Sequence, residues 1–183
     1  PIITGNRITG SDLTGSRGIR LLGLITNASI TGNDVRDLDR GFSGEVNNGH
    51  SATGTQVHFN HFVGSPNGFV WDGPASISAE NNWWGCNQGP GNTGCDPATG
   101  IVGFTPWIVL RTTALPTNIN QNGTSDITAD MRFNSASVNV SGLGTVPNVP
   151  VAFTATQGTM LPTSGTVMLG LEESVFTSTS ALS

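Results

Sequence analysis

Ile3-Thr4-Gly5-Asn6-Arg7-Ile8 returns as Ile30-Thr31-Gly32-Asn33-Asp34-Val35, and again, more loosely, as Val57-His58-Phe59-Asn60-His61-Phe62. The Asn residues lie 27 positions apart at both steps. Ile77-Ser78-Ala79-Glu80-Asn81-Asn82-Trp83 reads as a fourth, degenerate copy after a shorter interval, with Asn81 as its recurring Asn. A repeat of this length means that one supersecondary unit is being stacked, which predicts a solenoid. Each repeat carries a second element: Arg17-Gly18-Ile19-Arg20-Leu21, Arg40-Gly41-Phe42-Ser43-Gly44 and Asn67-Gly68-Phe69-Val70-Trp71. Each coil is therefore expected to hold at least two short strands joined by Gly- and Asn-rich corners. The strand period of two sends alternate residues inward. It predicts one column of Ile3, Ile30, Val57 and Ile77, and a neighbouring column of Ile8, Val35, Phe62 and Trp83.

The recurring Asn6, Asn33, Asn60 and Asn81 suit corners, because a short amide side chain tolerates left-handed backbone. Stacked amides both donate and accept, so the four are expected to form a ladder along the axis. This is a structural role rather than a catalytic one.

Composition agrees with an all-β chain. Hydrophobic residues are 36% and charged residues only 10%, so the high net charge that accompanies disorder is missing. β-branched residues and short apolar alternations fill the rest. The seven basic residues are all Arg, the net charge is −5, and no basic cluster occurs. Nucleic acid and anionic membranes are therefore poor partners, and no nucleic acid is expected. No apolar run reaches the length of a membrane span, so no membrane insertion is expected in this segment. Because Pro1-Ile2-Ile3 already sits inside a repeat, the chain reads as an excised or processed piece.

Cys86 and Cys95 flank a loop of Gly, Pro, Asn and Thr. Such a pair reads as a disulfide and an oxidising compartment, worth roughly 2–3 kcal/mol by loop closure. Two sulfurs with no nearby His fall short of the four ligands that zinc takes.

On these repeats, residues 1–110 resemble the right-handed parallel β-helix of secreted bacterial proteins, the pectate-lyase-like superfamily. Asn81-Asn82-Trp83-Trp84-Gly85-Cys86 followed by Gly89-Pro90 is similar to the terminal coil of such surface proteins. A solenoid must hide its last apolar layer, and Trp83, Trp84 and Trp107 are large enough to cover it.

Several side chains invite chemistry. Asp34, Asp37 and Asp39 cluster with Glu45 nearby, and the resemblance to polysaccharide lyases makes them calcium candidates, with Arg36 and Arg40 among them. The spacing matches no calcium loop, and a solvated corner with Asp–Arg pairs is the plainer reading. His58 and His61 flank Asn60, and alternation along a strand sends the two imidazoles to opposite faces. His50 lies in a polar loop. Asp72 and Glu80 are the acids near the Trp-rich end, with nothing in their spacing to force convergence across a cleft. Trp71, Trp83 and Trp84 are candidates for stacking on sugars, against the default of core packing. No cofactor motif is present.

Beyond a short hinge at Arg111 to Pro116, the pattern changes. Ser125–Phe133, Pro150–Thr156 and Ser174–Thr179 alternate, with turns at Asn122-Gly123, Gly142 to Pro147 and Gly165. Strands at this spacing predict an antiparallel β-sandwich over residues 111–183. Val149-Pro150-Val151-Ala152-Phe153-Thr154-Ala155 with Gly158-Thr159, together with Ser125-Asp126-Ile127-Thr128-Ala129 and Val175-Phe176-Thr177-Ser178, resembles bacterial immunoglobulin-like domains of the invasin and intimin type. The resemblance implies a spacer with no active site. That family needs one or two more strands, so the sandwich is expected to be truncated or strand-deficient, with an open edge inviting strand addition after Ala181-Leu182-Ser183.

The expected fold is thus all-β, a parallel β-helix followed by an immunoglobulin-like sandwich that looks incomplete. The expected function is structural or adhesive: a rigid extracellular rod or stalk segment of a larger bacterial surface or secreted protein. Its partners would be other copies of itself or extracellular polymers, with filaments formed by strand complementation. The rival expectations are a polysaccharide lyase or hydrolase whose cleft lies upstream, and a carbohydrate-binding module built on the Trp cluster.

Overall fold

The structure is a computed structural model that describes residues 1–11, 13–44 and 51–179. Glu45, His50 and the terminal Ala181-Leu182-Ser183 lie outside these. The described residues are all-β and contain no helix. They form a parallel solenoid of about four turns followed by two antiparallel sheets.

The first coil supplies β1 (Ile2–Thr4), β2 (Arg7–Thr9), β3 (Arg17–Leu21) and β4 (Leu24–Thr26). The second supplies β5 (Ser29–Thr31), β6 (Asp34–Arg36), β7 (Arg40–Gly44) and β8 (Ser51–Thr53). The third gives β9 (Gln56–His58), β10 (His61–Val63) and β11 (Asn67–Trp71). β12 (Ile77–Ser78), β13 (Ala98–Gly100) and β14 (Val102–Gly103) complete the stack. Equivalent strands pair in parallel, so like residues fall directly above one another. Ile3, Ile30 and Val57 are in register in one column, and Ile8, Val35 and Phe62 in the next. A third column runs Ile19, Phe42, Phe69 and Ala98. Phe42 and Phe69 stack at 4.2 Å between ring centroids, and both are fully buried.

The amide ladder runs the length of the stack. Asn33 Oδ1 accepts from the backbone and side-chain nitrogens of Asn6, at 3.1 and 2.9 Å. Asn60 Oδ1 accepts from both nitrogens of Asn33, at 3.0 and 2.9 Å. Asn82, not Asn81, is the fourth rung: its Oδ1 accepts from both nitrogens of Asn60, at 2.8 and 3.0 Å. Each side-chain nitrogen also donates to a backbone carbonyl, Asn33 to Ile3 and Asn60 to Ile30. The left-handed corner is the residue before each rung: Gly5 (φ 68°), Gly32 (φ 65°), Phe59 (φ 55°) and Asn81 (φ 53°). The ladder Asn residues are thus selected for their amides, and their neighbours carry the backbone strain.

The fourth coil is thus offset from the sequence expectation, by one residue at the rung and by two in the strand before it. Ser78 pairs with Gln56, which puts Ala79 above Val57, while Ile77 pairs with Val102. Trp84, not Trp83, continues the second column, stacked on Phe62 at 5.4 Å. Trp83 bridges His61 and points out of the solenoid core. A slip of one residue exchanges the two faces of a strand.

The second unit contains a four-stranded sheet. Its order is β15 (Ile108–Leu115), β16 (Thr124–Asn134), β20 (Leu171–Ser178) and β18 (Gly158–Leu161). A two-stranded sheet of β17 (Val149–Ala152) and β19 (Ser164–Val167) lies beside it. The expected hinge at Arg111 to Pro116 is instead mostly strand. β15 crosses the 110/111 boundary without a break and pairs with β16 as far as Leu115 opposite Asp126. The bulge in this ladder takes its extra residue from β16, between Phe133 and Asp130, which leaves β15 regular.

Asn60→Ala should lower stability by about 2–4 kcal/mol, because it strands a buried carbonyl and buried N–H groups. Asn6→Ala, at the exposed end of the ladder, should cost under about 1 kcal/mol. Urea denaturation of both variants checks the contrast, and equal effects would refute a cooperative ladder.

Candidate functional site

The side chains singled out in the sequence do not converge. Trp71, Trp83 and Trp84 are 4%, 6% and 0% exposed, so none offers a ring face to a sugar. Trp71 is clamped between Gly44 and Gly73, where an added Cβ would collide with its ring, and its Nε1 donates to the Ala75 carbonyl. Trp84 completes the solenoid core, and Trp83 belongs to the core of the second unit. The sugar-stacking expectation is corrected by this burial. Trp107 packs on Phe104 and against Gly89, with Nε1 donating to the Asn87 carbonyl.

The three acids, weak calcium candidates beside the plainer reading of a solvated corner, have different partners. Asp34 is buried in an ion cluster. Asp37 is a left-handed corner (φ 54°) with its carboxylate against Gly64. Asp39 accepts from the Gly15 N–H and the Asn67 side chain, which hold its carboxyl below the usual range. Among the described residues, no group of three or more His, Cys, Asp or Glu is placed to hold a metal. His58 and His61 point apart: His58 Nε2 meets Ser78 Oγ at 2.7 Å, and His61 turns to Asp34. Cys86 and Cys95 form a disulfide, with Cα atoms 5.1 Å apart, in the loop that covers the last coil. Asp96, next to it, accepts from the Ser65 N–H and ties the loop to the third coil.

Two concave features stand out among the described residues. One is the junction of the two units. Phe59 and Trp83 leave the solenoid and enter an apolar core with Ile108, Met131, Val146 and Val149. Beside them lies the cluster of Asp34, Arg36 and His61. His61 Nδ1 is 3.1 Å from Asp34 Oδ1 and 3.4 Å from Arg36 Nη2, while Arg36 Nε donates to Asp34 Oδ1. Arg36 Nη2 donates across the junction to the Asn148 carbonyl, and Pro147 offers His61 a backbone acceptor. Asn134 Nδ2 makes a second polar tie, to Asn81 Oδ1 at 3.1 Å. A cleft of about 430 Å3 opens here, lined by Arg36, Asp37, His61, Trp83 and Val149 among others. Arg36 and His61 are both engaged in contacts at the junction.

Burial pushes His61 below its ordinary pKa, and contact with Asp34 offsets only part of this. Burial works the other way on Asp34, but hydrogen bonds from His61 and Arg36 outweigh it and keep the carboxyl low. His58 is lowered by burial as well. The second feature is an apolar groove of about 470 Å3 between the four-stranded and two-stranded sheets.

Sequence reasoning had no reason to single out Phe59. It is a bulky residue in left-handed backbone at a corner where the first two coils place Gly, and an added Cβ on Gly144 would stand 2.6 Å from its ring. That conformation costs about 1–2 kcal/mol. The departure from Gly at this one rung was the available signal, and its reason is the second unit that packs on it. No protein-family model matches the chain, no curated protein matches it, and no solved structure matches it.

Two outcomes follow from the junction. Phe59→Gly should destabilise the protein by about 1–3 kcal/mol, the loss of a buried aromatic being partly offset by relief of the left-handed strain. Chemical denaturation measures this, and a stabilised variant would refute the docking role. Both histidines have folded pKa values below their unfolded ones. Their contribution is therefore full above about pH 6.5 and is lost as pH falls below it, followed by that of Asp34 below about pH 4. Thermal unfolding between pH 7 and pH 5 should show falling stability, with a flatter profile in His61→Asn. A profile equally steep in that variant would remove His61 as a source.

Proposed function

We propose that this chain is a stiff segment of a secreted or cell-surface protein of bacterial type, with a structural or adhesive role. In this reading the solenoid is a right-handed, pectate-lyase-like β-helix, and the antiparallel unit is an immunoglobulin-like domain of the invasin and intimin kind. The observation that supports it is the way the two units meet. β15 leaves the solenoid cap and enters the second unit as one unbroken strand, and Phe59 and Trp83 extend one unit's side chains into the other's core. A rod or stalk needs such a joint, because a hinge would dissipate an applied force.

Composition supports the same reading. A disulfide-pinned cap, few charges, and an absence of Lys suit a durable extracellular polymer. The partners would be other copies of the chain or extracellular polymers. A polysaccharide lyase or hydrolase is the rival reading; Asp34, His61, Trp71, Trp83 and Trp84 lend it no support, because they are engaged in packing or in ion pairs.

Negative-stain electron microscopy of the protein from its native source tests the proposal. Rods, filaments or sheets attached to the cell surface are expected. Dispersed particles that release unsaturated or reducing sugar ends from polysaccharide would overturn it.

A further inference from the structure

Between Cys86 and Cys95, the loop over the last coil holds only Asn, Gln, Gly, Pro and Thr. It has no apolar core of its own. Apart from the disulfide, polar bonds within the loop order it. The Asn92 side chain donates to the Gln88 and Gly89 carbonyls, and the Cys95 N–H donates to the Asn92 carbonyl.

The loop grips the rest of the molecule at two points, each next to one cysteine. Asn87 follows Cys86. Its Oδ1 accepts from the Leu110 N–H at 2.7 Å, its Nδ2 donates to the Leu110 carbonyl at 2.8 Å, and its own carbonyl accepts from Trp107 Nε1 at 2.9 Å. One side-chain amide thus pairs with both backbone groups of Leu110, as a residue of a neighbouring strand would. Asp96 follows Cys95. Its N–H donates to the Trp84 carbonyl, and its carboxylate accepts from the Ser65 N–H in the third coil. The disulfide closes the chain between the two grips, with its Cα atoms 5.1 Å apart. It therefore fixes where Asn87 stands on the solenoid, and Asn87 holds the strand that enters the second unit. Other ties at the junction bypass the loop: the Ile108 N–H donates to the Asn82 carbonyl, and Arg36 Nη2 donates to the Asn148 carbonyl. Neither cysteine is fully buried.

We propose that the Cys86–Cys95 disulfide is a redox-sensitive clasp on the joint between the two units. Oxidised, it keeps the Asn87 amide on Leu110 and the start of β15 fixed to the cap. A dithiol opens it. One thiolate attacks a cysteine sulfur and the S–S bond breaks. The second thiol then displaces that cysteine from the mixed disulfide, so both cysteines become thiols and the dithiol is oxidised to its own disulfide. With no core to hold it, the opened loop lets Asn87 leave Leu110, and this side of the joint loosens. The amide ladder and the Ile108–Asn82 bond lie outside the loop and persist. The inference goes beyond the rod reading and does not rest on it.

The test is amide hydrogen exchange of the whole chain before and after treatment with dithiothreitol, with reduction followed by mass. Exchange at Leu110 should quicken by about tenfold or more on reduction, the effect of losing its bonds to Asn87. The N–H groups of Ile108 and Asn60, which donate to the Asn82 carbonyl and to Asn82 Oδ1, should be unchanged. Asn87→Ala should show fast Leu110 exchange with the disulfide intact, and reduction should then add nothing at Leu110. Equal Leu110 exchange in the parent chain before and after complete reduction overturns the proposal, whether or not the variant folds. Equal quickening at Asn60 also overturns it, because the bond would then be a general staple of the fold. A disulfide that dithiothreitol fails to reduce in the folded chain overturns it too.

Discussion

The stacked asparagine amides fix the register on which everything else in the solenoid depends. A parallel stack of short strands has little to prevent sliding, because each strand is three to five residues long in the first three coils. The ladder removes that freedom. Asn33 and Asn60 each accept two bonds from the rung on one side and give two to the rung on the other, while also holding a carbonyl of an earlier coil. Both are fully buried, so any slip would leave several polar groups without partners in an apolar interior. With the rungs aligned, the aliphatic and aromatic columns align as well. The Phe42–Phe69 and Phe62–Trp84 stacks are consequences of that alignment.

The same constraint explains how the second unit is attached. Left-handed backbone before each rung is a requirement of the corner, and Gly meets it most easily. In the third coil the position is given to Phe59, which accepts the strain and gains a buried place among Trp83, Ile108 and Val146. In the fourth coil it is given to Asn81, whose Oδ1 accepts from Asn134 of the second unit. The two corners nearest the cap are therefore where the solenoid departs from its own repeat, and both departures contact the antiparallel sheets. Asp34, Arg36 and His61 add charge to the same seam. Their mutual contacts, and the reach of Arg36 to Asn148, make the seam polar at one side and apolar at the other.

Much of this was legible in the sequence because the repeat is nearly exact where nothing else touches the coil. Asn6 and Asn33, with Gly5 and Gly32 before them, define the rung and the corner without ambiguity. The strands at Ser125–Phe133 and Ser174–Thr179 were visible from alternation alone. The misreading of Asn81 for Asn82 arose where two adjacent Asn residues serve the two functions that Gly-Asn serves earlier. Type alone cannot say which amide is the rung. That one-residue ambiguity carried Trp83 into the wrong core. The hinge at Arg111 to Pro116 failed for a different reason. Thr112, Thr113 and Ala114 show no apolar alternation, because β15 is an edge strand with one side in solvent. Burial of Trp71 between Gly44 and Gly73 was invisible too, since the glycines that clamp it come from different coils or turns.

β15 is where the two halves of the molecule share one resource. Its inner edge builds the four-stranded sheet through β16, and its outer edge is divided between the solenoid cap and open space. The cap claims Ile108 and Leu110 with a backbone carbonyl and a side-chain amide, a combination that ends strand pairing without leaving polar groups buried and unmet. An ordinary exposed edge is protected by charge or by Pro. Beyond Leu110, Arg111 packs its guanidinium over the Phe133 ring at 4.3 Å, and Pro116 comes only after the strand has ended at Leu115. Between them, Thr112 and Ala114 have neither safeguard.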